Sequence, residues 1–251
     1  MSRLNLAFCG CLLLLLPWRI SQAAANLLIW PIDPILTAND NATPLWLENQ
    51  GKTPVTLQVR IVRWRQETGR ERYSSQQDVA ASPPVIRVEP QNKQLVRLMK
   101  QTAVPAGQEW AYRIVVDEIP QPSEAGSAAN LGVKLQMRYS IPLFVYGVGR
   151  TTQRDAANHV SVDASKLAWG VMEEAGQRLL WVRNRDNVHV RLSQVSLEGA
   201  SGKNILADGL LGYVLAGSER RWPLPSAFRS AAKLTATINA THEQWHATPS
   251  R

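Results

Sequence analysis

Between Asn26 and about Gly149 the chain is written in short β-rich runs broken by turn residues, and no long stretch carries the 3.6-residue apolar period of a helix. That pattern restricts this half to an all-β fold. A first strand is expected over Leu27 to Ile35, where Pro31 and Pro34 confine it to an edge or to a strand that switches sheets. Thr43 to Glu48 follows, with Leu45 and Leu47 alternating against Trp46, and Asn49-Gln50-Gly51 turns the chain into a long strand from Val55 to Arg65. In that strand Val55, Leu57, Val59 and Ile61 share one face, and Thr68-Gly69 ends it. Val85 to Val88 and Leu95 to Met99 read as a pair of strands around Glu89-Pro90-Gln91-Asn92, and Trp110 to Val116 as the next, closed by Pro120. After a loop rich in Pro, Ser, Gly and Ala, the run from Leu131 to Tyr139 is the most regular of all. Leu131, Val133, Leu135, Met137 and Tyr139 alternate with Gly132, Lys134, Gln136 and Arg138.

The polar, glycine-bearing segment 147–158 is the candidate linker, giving an N-terminal domain over 26–149 and a C-terminal domain over 150–251. Beyond it, short strands are expected at Leu179 to Val182, Val188 to Leu197, Tyr213 to Leu215 and Lys233 to Ile238. About seven strands in each half, at turn spacings of roughly 8 to 12 residues, are what two Ig-like sandwiches require.

The first 25 residues stand apart. Arg3, an apolar stretch from Leu4 to Leu16, and then Ala23, Ala24 and Ala25 have the layout of a cleavable secretory signal, with cleavage after Ala23 or Ala25. The apolar run is shorter than a membrane-spanning helix needs, so the mature protein is expected to be exported and soluble, with no membrane insertion. Both cysteines, Cys9 and Cys11, fall inside that segment, which leaves the mature chain without a disulfide, thiolate metal site or cysteine nucleophile. The formal net charge of +8 becomes +6 without Arg3 and Arg19, and the arginines are scattered singly among apolar residues. Nucleic acid is therefore not an expected partner.

Motifs for catalysis are weak. His242-Glu243-Gln244-Trp245-His246 is a literal H-E-x-x-H, but only Ala247 to Arg251 follow and no long helix precedes it, so a frayed polar tail is expected rather than a zinc site. Gly199-Ala200-Ser201-Gly202-Lys203 lacks the first glycine and the Ser/Thr of a phosphate loop and reads as a hairpin turn. Asp117 and Glu118 are adjacent in a strand and point to opposite faces. His159 and His189 sit among polar strand residues. No enzyme, metal or cofactor is expected. Trp30, Trp46, Trp64, Trp110, Trp169, Trp181 and Trp222 leave an alternative open, an exported carbohydrate-binding or adhesion-related sandwich, although sandwich tryptophans more often pack cores.

Several ordered blocks resemble the periplasmic PapD-like chaperones of the chaperone/usher pilus pathway. Ser82-Pro83-Pro84-Val85-Ile86-Arg87-Val88-Glu89-Pro90 with Gln94-Leu95-Val96-Arg97-Leu98 is similar to that family's PPV-x-R turn and VRL strand. Tyr112-Arg113-Ile114-Val115-Val116-Asp117-Glu118-Ile119-Pro120 is similar to its strand ending in E-I-P, and Leu143-Phe144 to its exit from the donor strand. The resemblance implies two sandwiches in a boomerang arrangement and a periplasmic location. Its partners would be pilus subunits, stabilised by donor-strand complementation, and an outer-membrane usher. It points to Leu131, Val133, Leu135, Met137 and Tyr139 as the subunit-binding strand, and leaves open whether the free protein self-associates through it.

The family's two carboxylate-anchoring cations are not present. Asp33 stands near the arginine position and Pro142 at the lysine position, so the resemblance is to the divergent archaic branch and the two-cation anchor is not expected here.

Overall fold

The computed structural model describes residues 27–120, 136–149, 162–200, 202–225, 228, 231–239 and 244–250. Its first ten strands are β1 (Leu27–Trp30), β2 (Ile35–Leu36), β3 (Ala42–Asn49), β4 (Val55–Glu67), β5 (Arg70–Ser74), β6 (Val79–Ser82), β7 (Val85–Val88), β8 (Lys93–Lys100), β9 (Glu109–Ile119) and β10 (Arg138–Tyr146). They form two sheets, ordered β1-β3-β8-β6 and β2-β10-β9-β4-β5, with β7 also paired to β4.

The expected first strand is split between Pro31 and Pro34 and its halves enter different sheets, β1 beside β3 and β2 beside β10. Prolines cannot donate to a ladder, so the crossing falls where the ladder is already lost. One expectation is corrected. Strands β7 and β8 do not pair with each other, because the Glu89 to Asn92 turn carries the chain from one sheet to the other.

Period-two alternation then fills the space between the sheets. Leu45, Leu47, Val96 and Leu98 meet Val55, Leu57, Val59, Ile114, Val116 and Leu143, all nearly inaccessible. Each such side chain contributes roughly 1.5 to 3 kcal/mol of transfer free energy.

The C-terminal half repeats the plan with β11 (Leu167–Glu174), β12 (Gln177–Asn184), β13 (Val190–Gly199), β14 (Gly202–Val214), β15 (Glu219–Pro223), β16 (Lys233–Ile238) and β17 (Gln244–Ala247). Its sheets are β11-β12-β15 and β14-β13-β16-β17, around a core that includes Trp169, Leu180, Val195 and Trp245. The expected hairpin turn at Gly199 to Gly202 joins β13 to β14. The tail is not frayed: Gln244–Ala247 pairs with β16, Trp245 is buried, and His246 Nδ1 lies 3.1 Å from the Thr235 hydroxyl. Alternation explains the correction, since Trp245 and Ala247 share one face and both pack against the C-terminal core.

Both halves use the same corner device. The carboxamides of Asn49 and Asn184 are fully buried and donate to backbone carbonyls, Asn49 to Thr53 and Val88, Asn184 to Val188 and Val214. Each amide oxygen accepts from the backbone two residues on, at Gly51 and Asp186. Loop carbonyls that would otherwise be buried without donors are satisfied in this way.

Candidate functional site

The distinctive surface is one edge of β10. On its inner side β10 pairs antiparallel with β9 along its whole length, from Arg138↔Asp117 to Tyr146↔Glu109. On its outer side the described partner is β2, which pairs in parallel and only at Phe144 and Val145. The Phe144 N–H points outward, donating to the Pro34 carbonyl at 3.4 Å, while the Met137 carbonyl accepts inward from the Glu118 N–H. In an antiparallel ladder backbone groups alternate, so those of Arg138, Ser140 and Pro142 also face outward, where no described strand meets them. Pro142 survives mid-strand because the N–H it lacks would have pointed out of the sheet.

Side chains of β10 alternate between two interiors. Tyr139, Ile141, Leu143 and Val145 pack with the N-terminal core. Phe144 and Tyr146 enter a second cluster with Trp64, Ala111, Val188, Tyr213 and Leu215, which lies between the two sandwiches. Trp64 meets Tyr213 edge-on at 5.5 Å, and the His189 ring stacks flat on Phe144. Polar contacts close the same boundary. The His189 N–H donates to Glu109 Oε1 at 3.0 Å, and its Nδ1 lies 2.8 Å from Oε2. Gln66 donates to the Tyr213 carbonyl and accepts from the Leu215 N–H. The Arg221 N–H and the Arg220 guanidinium both donate to the Gly69 carbonyl.

At the opposite end of β10, Asp117 is clasped by Arg60 at 2.6 Å and by Arg138. Burial pushes its carboxyl up, but the hydrogen bonds and charges of the two arginines outweigh this and hold it below the usual range. Asp186 and Glu219 are likewise lowered against burial, by the Asn187 N–H and Lys166 in one case and by Arg183 and Arg221 in the other. A carboxyl with a depressed folded value contributes stability that is fully present above its unfolded value, about 4, and is lost as pH falls through the folded value. Thermal unfolding at pH 3 is therefore expected at lower temperature than at pH 7, and Asp117→Asn should show a smaller drop. An equal drop in the variant would remove Asp117 from this account.

The sequence-derived site residues are only partly placed. Leu131, Val133 and Leu135 lie outside the described residues. Met137 is 39% exposed, whereas Tyr139 is half-buried against its own core, so these two positions differ in what they offer a partner. Asp33 is exposed; the Tyr213 hydroxyl, whose pKa burial raises, also feels its charge. Pro142 is buried opposite Arg113.

His189 and Glu109 were not legible as a pair. Their separation of 80 positions carries no local signal, and His189 is buried rather than placed on a polar strand face. Trp64 and Trp169 are buried and the other described tryptophans named above are half-buried, which does not favour a carbohydrate platform.

Comparisons with known proteins decide the family. Residues 33–146 match the family model described as "Pili and flagellar-assembly chaperone, PapD N-terminal domain". One chain of the solved CsuC–CsuE chaperone–tip adhesion subunit pre-assembly complex, from the archaic chaperone-usher Csu pili of Acinetobacter baumannii, is 33% identical. The match covers 89% of this chain and 97% of that one, with a TM-score of 0.70. The chain belongs to the PapD-like pilus chaperones.

The E. coli chaperone DraB is 20% identical at a TM-score of 0.61, covering 89% of this chain and 98% of its own. The Pseudomonas aeruginosa CupB2 chaperone is 18% identical at 0.60, covering 89% and 100%. These two show the shared two-sandwich fold. No curated protein matches this chaperone. Among its described residues no helix is long and apolar enough to cross a membrane, and no cluster of His, Asp or Glu has metal-holding geometry.

Proposed function

We propose that this chaperone keeps a pilus subunit folded in the periplasm by lending it residues 131–139 and the outer edge of β10, and then passes it to an outer-membrane usher. The outward face of Arg138, Ser140 and Pro142, which no described strand meets, is the observation that carries this reading. A subunit short of one strand exposes backbone groups and an apolar groove, and an added strand satisfies both, with alternate side chains filling the groove. Leu131, Val133, Leu135 and Met137 are its groove-filling residues, and Tyr139 straddles the junction with the chaperone's own core. Residues 26–149 form the domain that does this work and 150–251 the domain that braces it, after removal of 1–25 as a signal. The protein acts by binding, not catalysis, and the same edge is the surface through which free copies would associate.

Co-expression of tagged chaperone with a pilus subunit, followed by pull-down from the periplasm, tests the reading. Wild type should retain the subunit. Leu135→Glu and Met137→Glu should each reduce retention at least about tenfold, the loss expected for one large apolar contact, while the free variants melt as wild type does. Unfolding of the free variants, or undiminished capture, would assign the alternating strand to the chaperone's own core instead.

A further inference from the structure

The hairpin of β4 and β5 reaches past its own sandwich. Glu67 pairs with Arg70, so Thr68 and Gly69 form a two-residue turn, and both lie at positive φ, 52° and 78°. That geometry matches the twist of a hairpin, but a β-branched residue such as Thr68 rarely adopts it. Strain of this kind persists where surrounding contacts hold it in place. Here they come from the other domain. β15 is the edge strand of its sheet, and Gly69 forms a parallel bridge with Arg220 on it, so the hairpin tip joins the N-terminal sheet to the edge of β11-β12-β15. The Gly69 carbonyl accepts from the Arg221 N–H and from Arg220 Nη1, each at 2.9 Å. A side chain at Gly69 would displace Arg221, since a Cβ there would lie 2.4 Å from its Cγ.

Charged side chains extend this joint. Arg70 faces Glu174 at 3.9 Å, Glu174 pairs with Arg221 at 3.0 Å, Arg221 with Glu219 at 2.8 Å, and Glu219 with Arg183 at 2.7 Å. Arg220 turns back to Glu71 at 3.6 Å. The signs alternate from the hairpin tip into the second sandwich. The Arg70 and Arg183 side chains are 71% and 50% exposed, so their pairs contribute little to stability. Together the carboxylates hold Arg221 beside Gly69 and so fix a direction.

This joint stands apart from the stacked Phe144 and His189 rings. β5 and β10 are three strand spacings apart in the sheet, roughly 14 Å. Apolar contacts carry no direction, so the aromatic cluster alone would let the sandwiches rock against each other. A second attachment made of aligned hydrogen bonds removes that freedom. The outer edge of β10 runs up to the same boundary at Phe144, so the angle decides where the C-terminal domain stands beside anything paired there.

We infer that the tip of the β4–β5 hairpin is a clasp that fixes the angle between the two sandwiches and, resting on the strand-addition reading above, positions the C-terminal domain against a subunit held on β10. Gly69, Arg220 and Arg221 are positioning residues in this account. They act through the domain angle.

Both cysteines lie within residues 1–25, so spin labels at Gln94→Cys and Lys233→Cys, exposed positions in different sandwiches, report the distance between the domains of the exported protein. Wild type should give one narrow distance distribution. Gly69→Ala should broaden it while the thermal midpoint stays near that of wild type. The same variant should speed release of a pilus subunit from the purified complex at least about fivefold, the lower end of coupling between separate sites. Arg220→Gln, which leaves the turn itself intact, should act in the same direction. Distributions as narrow as wild type in both variants would overturn the clasp, and a broadened distribution with wild-type release would overturn its part in holding the subunit. If Gly69→Ala does not fold, Arg220→Gln decides alone. A wild-type chaperone that captures no subunit would instead overturn the strand-addition reading, with the distance measurement still deciding the clasp.

Discussion

Truncating Trp64 to alanine is expected to destabilise the chaperone by about 4 kcal/mol and to split its calorimetric unfolding into two transitions. Trp64 is 1% exposed and its surroundings come from both halves: Phe144 at 6.1 Å and Tyr213 at 5.5 Å between ring centroids, with Arg113 over its face. Its indole N–H has no partner, so the truncation strands no acceptor and the loss is one of packing. The emptied volume sits between the sandwiches, where neither core can collapse into it without moving the other. Gln66, Glu109 and Arg220 would remain as polar links, each contributing about 1 to 3 kcal/mol at most. A single unsplit transition at the wild-type temperature would show that the two domains are held together by those links and not by the aromatic cluster.

The second large effect is expected at Gly147. A Cβ placed there would sit 2.0 Å from the Pro105 carbonyl oxygen and 2.9 Å from that of Val104. Both obstacles are backbone, so no rotamer change relieves them. The close approach is held from both sides, since the Gly147 N–H donates to the Gln108 carbonyl and the Gly107 N–H to that of Val148. Gly147→Ala must therefore push the 104–108 loop off the end of β10, at a cost of about 3 kcal/mol or more. Chemical denaturation measures this directly, and a midpoint unchanged from wild type would mean that the loop yields freely.

What was readable beforehand depended on how local the cause was. The alternation of Val55, Leu57 and Val59 fixes the face of β4, and two prolines locate the break between β1 and β2, because both signals act within a few residues. Strands β5, β6, β11, β15 and β17 were not visible. Arg70–Ser74 has hardly any apolar residue, and it is held by pairing with β4 and by the Gly69 carbonyl accepting from the other domain. The candidate edge was read as an alternating run from Leu131 to Tyr139, of which Gln136 to Tyr139 lie among the described residues. Tyr139 belongs to the chaperone's own interior, and the strand continues to Tyr146, because Leu143-Phe144-Val145-Tyr146 is apolar on both faces and no longer alternates. Arg113 was read as one of many scattered arginines. Nothing in its immediate sequence reveals that its cross-strand neighbour lacks an N–H, or that Tyr213, 100 positions later, lies over it.

The two-sided burial of Ile141 to Tyr146 has a consequence for whatever pairs with β10. A slip of one residue would drive Phe144 into the N-terminal core and Val145 toward His189, so neither interior permits it. The strand is pinned like a scale with a fixed zero at Phe144, and the outward groups at 138, 140 and 142 are its graduations. An arriving strand does not negotiate its alignment with this edge. It is measured against it.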